Sequence, residues 1–489
     1  MKVVLYNPRS NGSGKRVLPF SLLALGAVLE GRHEYAIVDG NVEADPLGSL
    51  REHVAAGARV LGVTAMPGPQ LAAATHASAA LKREFPRLAS VWGGYFPTEH
   101  PQVCLRAGHV DYVVRGHGEE PFLRLLDTLD AGGGPPPVAG LAWRDGQGFR
   151  DAPVSAVPDP QELPPFPYRR VDVSAYLRRT FLGRRTLGYH SSYGCPFTCN
   201  FCGVVSLTGA RWRAQSAERV AGAVRDYAGT WGVDAVEMYD NNFFTAEERA
   251  FEFADRIRPL GLAWWGEGRI DTLLKYRPAT WKSLRVSGLR MVFLGAESGS
   301  ADTLRRMDKG GTLRPEMTLE LAALLRGQGI VPEFSFVVGN PPDPEEDTAR
   351  TLQLVARIKR AHPAAEIILY HYTPVPVPGA LLDAARADGF RFPDTLEEWV
   401  SGEWQRLALR RGDGLPWLRR GWRQRVRDFE RVLNAYHPTG TDPRLTGWRR
   451  RVLRAASAWR YHSGVYRYPL ELRALQRAFR YQRPETAGF

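Results

Sequence analysis

The sequence predicts two α/β units in tandem followed by a helical segment, and three observations carry that expectation. Short apolar runs alternate with amphipathic stretches over the first 135 residues and again from about Leu187 to Pro378, the pattern of parallel sheets covered by helices. A run dense in proline and glycine separates the two stretches. Beyond Phe392-Pro393 the pattern becomes helical and rich in arginine and tryptophan. A length of 489 residues also exceeds what one ordinary core organises.

In the first unit the strand candidates are Val3 to Tyr6, Tyr35 to Asp39, Val60 to Thr64, Ala89 to Trp92 and Tyr112 to Val114, with amphipathic stretches such as Leu71 to Phe85 between them. Leu18 to Leu29 is apolar but too short to span a bilayer and lacks a small-residue cleavage pattern. No apolar run approaches the roughly 20 residues needed to cross one. The expectation is a soluble, cytoplasmic protein.

From Gly132-Gly133-Gly134-Pro135-Pro136-Pro137 to Leu163-Pro164-Pro165-Phe166-Pro167, proline blocks both helix and central strand, so a linker with one hairpin around Asp145-Gly146 is expected. The second alternation offers six strands: Gly188 to Ser191, Ala235 to Tyr239, Trp264 to Arg269, Met291 to Leu294, Glu333 to Val338 and Ile367 to Tyr372. Six strands separated by helices predict a partial barrel with its site at the strand C-termini.

The net charge is 65 − 52 = +13. Residues 401–489 alone hold 20 Arg, no Lys and 7 acids, again +13, so the rest is close to neutral and the basic character belongs to one segment. Only four cysteines occur, and three of them fall within eight residues, an arrangement that suits a metal site and not a disulfide framework.

Cys195-Pro196-Phe197-Thr198-Cys199-Asn200-Phe201-Cys202 directly follows a candidate strand and a Tyr193-Gly194 turn, so three thiolates can point into one loop. A [4Fe–4S] cluster is completed by four ligands, and three leave one iron open. A structural zinc site, the alternative, requires four ligands, for which Cys104 or His190 would have to serve.

This motif, with Phe201 before the last cysteine, resembles the hallmark of the radical SAM superfamily, and the resemblance continues for some 190 residues. It implies that Cys195, Cys199 and Cys202 hold the cluster and that the open iron chelates S-adenosylmethionine. The reduced cluster then breaks a C–S bond and releases a 5′-deoxyadenosyl radical, with water excluded from a deep barrel mouth.

The same resemblance assigns cofactor contacts to Asp240 and Asn241 after the second strand, to Glu267 and Arg269 on one face of the third by its period of two, and to Glu297 and Ser298 in Gly295-Ala296-Glu297-Ser298-Gly299. Gly339-Asn340-Pro341-Pro342 and Pro374 to Gly379 resemble the loops ending the fifth and sixth strands. Asp240 also suits a helix cap near Thr245, and Arg269 a structural pair with Asp271.

An α/β unit opening with Asn7-Pro8 before such a core is similar to the cobalamin-binding domain of the B12-dependent branch. Gly93, Gly94, Gly116, Gly118 and Glu119 carry that likeness, since glycines after parallel strands let backbone approach a flat cofactor at the sheet's carboxyl edge. Glycines kept for tight turns in a differently loaded domain are the alternative. The loop from Asn7 to Phe20 contains no histidine, so cobalamin is expected without a protein imidazole on cobalt, and His117 is left unassigned.

The resemblance therefore implies a Rossmann-like cobalamin-binding domain (1–135), a linker (136–185), a radical SAM partial (β/α)6 barrel (186–392) and a basic helical C-terminal domain (393–489). Its expected chemistry is methyl transfer to an unactivated carbon or phosphorus centre. The alternatives are radical cyclisation, oxidation or rearrangement, or a non-catalytic iron–sulfur or cobalamin carrier. A small-molecule or lipid substrate and an electron donor such as flavodoxin or ferredoxin are implied. Trp417 to Arg420, Trp422 to Arg425 and Trp448 to Arg451 interleave aromatics with arginine. They are expected to form a solvated basic face on a packed helical lid; contact with an anionic surface is left open and nucleic acid is disfavoured.

Overall fold

The computed structural model describes residues 1–10, 16–146, 148–309, 311–410, 412–442 and 445–480. Five strands open the chain: β1 (Lys2–Asn7), β2 (Glu34–Asp39), β3 (Val60–Thr64), β4 (Ala89–Gly93) and β5 (Tyr112–Val114). They run parallel in the order β2-β1-β3-β4-β5. Alternate residues of β1 feed two cores, Val4 and Tyr6 on one face and Val3 and Leu5 on the other, which is why the strand is apolar without alternation. The order reverses beside β1, and sheets of this kind bind ligands in the crevice beyond the carboxyl ends there.

The hairpin expected at Asp145-Gly146 is formed by β6 (Leu141–Asp145) and β7 (Gly148–Asp151). It is not free-standing, because β6 pairs antiparallel with β5 and extends the first sheet to seven strands. The proline-dense remainder of 136–185 is irregular but not detached. It carries two 3-10 turns, Tyr168–Arg170 and Val173–Tyr176, that strap the units together. The Tyr176 hydroxyl donates to Asp39 at 2.8 Å, Arg170 donates to Glu30 at 2.9 Å, and the Tyr168 and Tyr227 hydroxyls lie 2.6 Å apart.

The second sheet has six parallel strands in chain order: β8 (Thr186–Tyr189), β11 (Ala235–Met238), β12 (Ala263–Gly268), β13 (Leu289–Glu297), β14 (Val331–Val338) and β15 (Glu366–His371). Among the described residues β8 and β15 are not paired with each other, so this is a partial barrel. Between β8 and β11 lie β9 (Ser192–Gly194) and β10 (Trp212–Ala214), an antiparallel pair that pinches off the base of the cysteine loop.

Past the barrel the chain first returns to the opening unit, where helix Leu396–Trp399 starts in a capping box on Thr395 and sets Trp399 edge-on against Phe96 at 5.0 Å. Helix Arg420–Tyr436 then buries Phe429 and Leu433 in the barrel's core, while its Val432 and Ala435 meet Leu453 of helix Gly447–Ser463 and Leu472 of helix Leu470–Phe479. No helix among the described residues is long and apolar enough to cross a membrane.

Candidate active site

Gly194 ends β9 with φ +79°, and a Cβ there would stand 2.1 Å from the Arg211 carbonyl oxygen, so glycine is what allows the loop to close over β10. Beyond it, Cys199 is buried and Cys195 and Cys202 are half-buried. The loop is clamped from the far side. Asn200 N donates to the Met307 carbonyl at 3.1 Å, Asn200 Nδ2 to that of Arg306 at 2.6 Å, and the Thr198 hydroxyl to Asp308 at 2.8 Å. Gly379, after β15, packs directly on Asn200. Cys104 is buried in the first unit, away from this loop.

Burial pushes all three thiols up, Cys202 to about 11, and the charges of the neighbouring thiolates add to the effect at Cys195 and Cys202. Lys309 and Arg269 work in the opposite direction at Cys199. Arg269 Nη1 donates to Cys199 Sγ at 3.5 Å, its guanidinium lies 3.5 Å over the Phe197 ring, and it holds Asp271 through two bonds of 3.1 and 2.8 Å. The structural pair and the contact with the cysteine loop thus coexist in one side chain. Asn242 Nδ2 reaches toward Cys195 Sγ at 4.0 Å.

Asp240 is fully buried and caps no helix; helix Glu247–Ile257 starts later, after Ala246. Its Oδ1 accepts from the Ser191 amide (3.2 Å), the Ser191 hydroxyl (2.7 Å) and the Ser192 hydroxyl, while Oδ2 has no partner among the described residues. Asn241 is exposed, and the buried neighbour is Asn242, whose Oδ1 is also without a partner. Glu267 and Arg269 do share a face, since Arg269 keeps extended backbone one residue past β12. Phe201 packs against the barrel's core.

Glu297 sits at a register shift of β13 with φ +63° and forms a buried ion pair with Lys309, whose ammonium also donates to the Gly295 carbonyl at 2.6 Å. Ser298 instead donates to Asp347 at 2.5 Å and thereby ties β13 to helix Pro344–Ala361. Lys309 and Asn200 escaped the sequence reading as site residues, and Asn242 entered it only within the run Asp240-Asn241-Asn242-Phe243-Phe244. Lys309 lies 12 residues from its partner with no periodic relation to it, and only the contiguous Asn241-Asn242 pair offered any signal.

The ends of the first sheet's strands face this loop. Gly93 ends β4, and Gly94 (φ +95°) packs against Thr64 at the end of β3. Tyr95, the next residue, fills the space that a Cβ on Gly203 would take, 2.2 Å from its ring. After β5, Gly116 and Gly118 pack against Ser155 and Leu25, so protein contacts account for both glycines. Glu119 is buried beside the Tyr193 hydroxyl, with His117 Nδ1 3.8 Å away, and burial pushes its carboxyl up. His117 lies tilted 4.6 Å from the Tyr193 ring and is pushed down by burial to about 4, so it is neutral.

Asn7 is committed inward: it donates to Asp39 at 3.0 Å and accepts from Gln70 at 2.9 Å, and Gln70 also reaches the Pro8 carbonyl at 3.4 Å. The histidine-free loop after Pro8 includes residues 11–15, which lie outside the described residues.

The donor set fits an iron–sulfur cluster. Three soft thiols share one loop, and buried thiols that resist ionisation as bare groups are stabilised as thiolates by a positive partner. Among the described residues no three His, Cys, Asp or Glu side chains are grouped to hold a single ion; ligands at the corners of a four-iron cluster stand farther apart than that. The orphaned Asp240 Oδ2 and Asn242 Oδ1 fit a ligand bearing hydrogen-bond donors, and Gln70 Oε1 and the Tyr95 hydroxyl, also without a partner among the described residues, fit a polar cofactor at the carboxyl edge of the first sheet.

Comparison with known proteins agrees with these fits. Residues 12–126 match the B12 binding domain family and residues 189–355 the radical SAM superfamily. An uncharacterized methyltransferase from Pyrococcus horikoshii is 27% identical over 368 residues, which is 73% of this chain and 78% of that protein. The anaerobic magnesium-protoporphyrin IX monomethyl ester cyclase of Synechocystis sp. is 27% identical over 346 residues, 68% of this chain and 67% of that one. The radical S-adenosylmethionine methyltransferase TsrM from Kitasatospora setae, solved with cobalamin and a [4Fe–4S] cluster, aligns with a TM-score of 0.63 and 19% identity over 80% of this chain and 76% of its own, a likeness of fold.

Proposed function

We propose that this chain, a radical SAM protein carrying a B12-binding domain ahead of its barrel, is a cobalamin-dependent methyltransferase acting on an unactivated carbon or phosphorus centre. The observation that supports it best is convergence: Tyr95 on Gly203 and Glu119 on Tyr193 bring the carboxyl ends of β4 and β5 onto the cysteine loop at the mouth of the barrel. When bound, the cluster with S-adenosylmethionine supplies a 5′-deoxyadenosyl radical, and cobalamin supplies a carrier for the methyl group.

The chain's own residues hold, orient and exclude. Cys195, Cys199 and Cys202 hold the cluster, with Arg269 and Asn242 donating toward their sulfurs. Asp240 Oδ2 and Asn242 Oδ1 accept from the amino group of S-adenosylmethionine, and Glu297, turned inward by its left-handed backbone, accepts from that ligand's ribose hydroxyls or amino group. Gly93 and Gly94 let backbone approach cobalamin at the crevice beside β3. Phe197 and Phe201 keep water from the loop. Methyl delivery to a carbon radical demands that donor and acceptor be held close, which the Tyr193–Glu119 and Tyr95–Gly203 contacts favour.

The division that goes with this reading is a cobalamin domain over 1–135 with the 141–151 hairpin on its edge, a strap to 185, the radical SAM core to 392 and the helical C-terminal domain beyond. The substrate is a small molecule or a lipid, and the electron comes from a donor of the flavodoxin or ferredoxin kind. A carrier role has no use for the Asp240 and Glu297 sites. Radical cyclisation or rearrangement is the second reading, favoured by an identity to the cyclase as high as that to the methyltransferase. Turnover with S-adenosylmethionine deuterated at its methyl group separates the two. The methyltransferase yields labelled product with one S-adenosylhomocysteine and one 5′-deoxyadenosine each time. Substrate consumed with 5′-deoxyadenosine but without label in product would establish the cyclase reading instead.

A further inference from the structure

Helix Gly447–Ser463 has two apolar faces. Leu453 and Ser457 point into the C-terminal core, as the packing of Leu453 against Val432 and Leu472 requires. On the opposite side Trp448, Val452, Ala455 and Trp459 recur at i, i+4, i+7 and i+11, which lines them along one stripe. Trp448 is 58% exposed with Phe479 edge-on at 5.5 Å, Trp459 is 54% exposed with the Arg460 guanidinium 4.6 Å over one face, and Val452 is 39% exposed, so most of the stripe faces outward. Apolar surface gathered in this way marks an interaction face, unlike a single exposed tryptophan.

Charge says what that face meets. Residues 446–480 contain nine arginines and one acid, Glu471, giving 9 − 1 = +8, and that acid is already held by Arg460. Arg451 is exposed and flanks the stripe, and Arg454, farther round the helix, is exposed with its guanidinium 5.3 Å over the Tyr436 ring. A second copy of the chain would bring two such clusters together, so self-association is opposed by like charge. Nucleic acid would engage the arginines, yet Val452 and Ala455, set between the tryptophans, offer a base nothing to stack on. An anionic bilayer uses both features, taking tryptophan and small apolar side chains at headgroup depth and arginine among the phosphates.

We propose that the Trp448–Trp459 stripe is a docking face for an anionic phospholipid bilayer, on which this helix lies in the plane of the headgroups. It does not cross the bilayer. Because helix Gly447–Ser463 packs on helix Arg420–Tyr436, which is itself part of the barrel's core, docking fixes the whole protein to the surface. The inference is independent of the reaction catalysed.

The test uses the full-length, cluster-loaded protein with vesicles of phosphatidylcholine alone or mixed with phosphatidylglycerol, at about 50 mM and about 500 mM salt. Co-sedimentation with the phosphatidylglycerol vesicles is expected at low salt, falling at least ~10-fold at high salt and at least ~10-fold in the double variant Trp448→Ala/Trp459→Ala. Brominated lipid should quench tryptophan emission in the wild type and less in that variant. Arg451→Gln/Arg454→Gln should weaken binding and flatten its salt dependence. Because these side chains are exposed, the variants should keep the cluster's absorption, which verifies folding. No partition into anionic vesicles overturns the proposal, as does partition that the tryptophan variant leaves unchanged. Tighter binding to single-stranded RNA than to vesicles, or a dimer in sedimentation that the variant dissolves, reassigns the face.

Discussion

Tyr193→Phe isolates one bond between the two units. Tyr193 is 8% exposed, its hydroxyl faces the buried Glu119, and its ring lies tilted 4.6 Å from His117 and edge-on 5.6 Å from His190. Phenylalanine preserves both ring contacts and removes only the donor. Glu119, 7% exposed, is then left short of a partner, a penalty of about 1–3 kcal/mol, equivalent to roughly 5- to 150-fold in a local opening equilibrium. Native-state hydrogen exchange reads it directly, because Tyr193 and Arg213 are paired across β9 and β10 at the base of the cysteine loop. Their amides should exchange faster by that factor in the cluster-free protein. The double variant Tyr193→Phe/Glu119→Leu should recover most of the protection, since removing both polar partners costs far less than stranding one. Exchange unchanged within about twofold in the single variant, or a double variant worse than the single, would falsify this account of the junction.

The same amides should respond to pH. Burial raises the Glu119 carboxyl above its ordinary value of 4.5, so the folded protein binds this proton more tightly than the unfolded chain. Its stabilising contribution is therefore complete below pH 4.5 and is lost as pH rises through the raised value, a dependence that Glu119→Gln should flatten. Alanine at Cys195, Cys199 or Cys202 should abolish both the cluster's absorption and cleavage of S-adenosylmethionine, whereas Cys104→Ala should leave both in place; a cluster that persists in Cys199→Ala removes the assignment. The Co(II) form should give an electron paramagnetic resonance spectrum without nitrogen splitting, and splitting would direct attention to His117, since His100 is wedged 4.7 Å from Trp399. Lys309→Met strands the buried Glu297 and should lower apo-protein stability by about 3–5 kcal/mol in denaturant titration; a loss under about 1 kcal/mol speaks against a tight pair.

The parallel strands were legible because strands buried on both faces are plain apolar runs, and Val60 to Thr64 and Tyr112 to Val114 coincide with β3 and β5 to the residue. The cysteine loop was legible because its three cysteines fall within eight residues of sequence. What escaped was set by contacts distant in the chain. The β7 edge strand is half-buried at most and so has no apolar period to detect. Proline density correctly ruled out regular structure in the strap but carried no information about burial, and Val173 and Tyr176 prove to be core residues. Asn7 has the composition of a ligand contact, yet Asp39 and Gln70 occupy its side chain. The choice between Asn241 and Asn242 depended on where the chain leaves β11 for a 3-10 turn, a boundary that residue pattern does not locate.

The strap has a consequence for any attempt to rebuild the molecule. Its anchors reach both units: Tyr168 on Tyr227 of the barrel, then Arg170 on Glu30 and Tyr176 on Asp39 of the first unit. A connector fastened at both ends is a spacer and not a hinge, and it fixes the gap between the two sheets much as a gauge block does. Grafting a foreign barrel behind this first unit therefore requires keeping residues 163–178 with the first unit's Glu30 and Asp39 and giving the new barrel the Tyr227 surface that receives Tyr168. A flexible glycine-serine bridge of equal length would join the parts covalently while losing their alignment, and the two cofactor sites would then drift out of register although each remained intact.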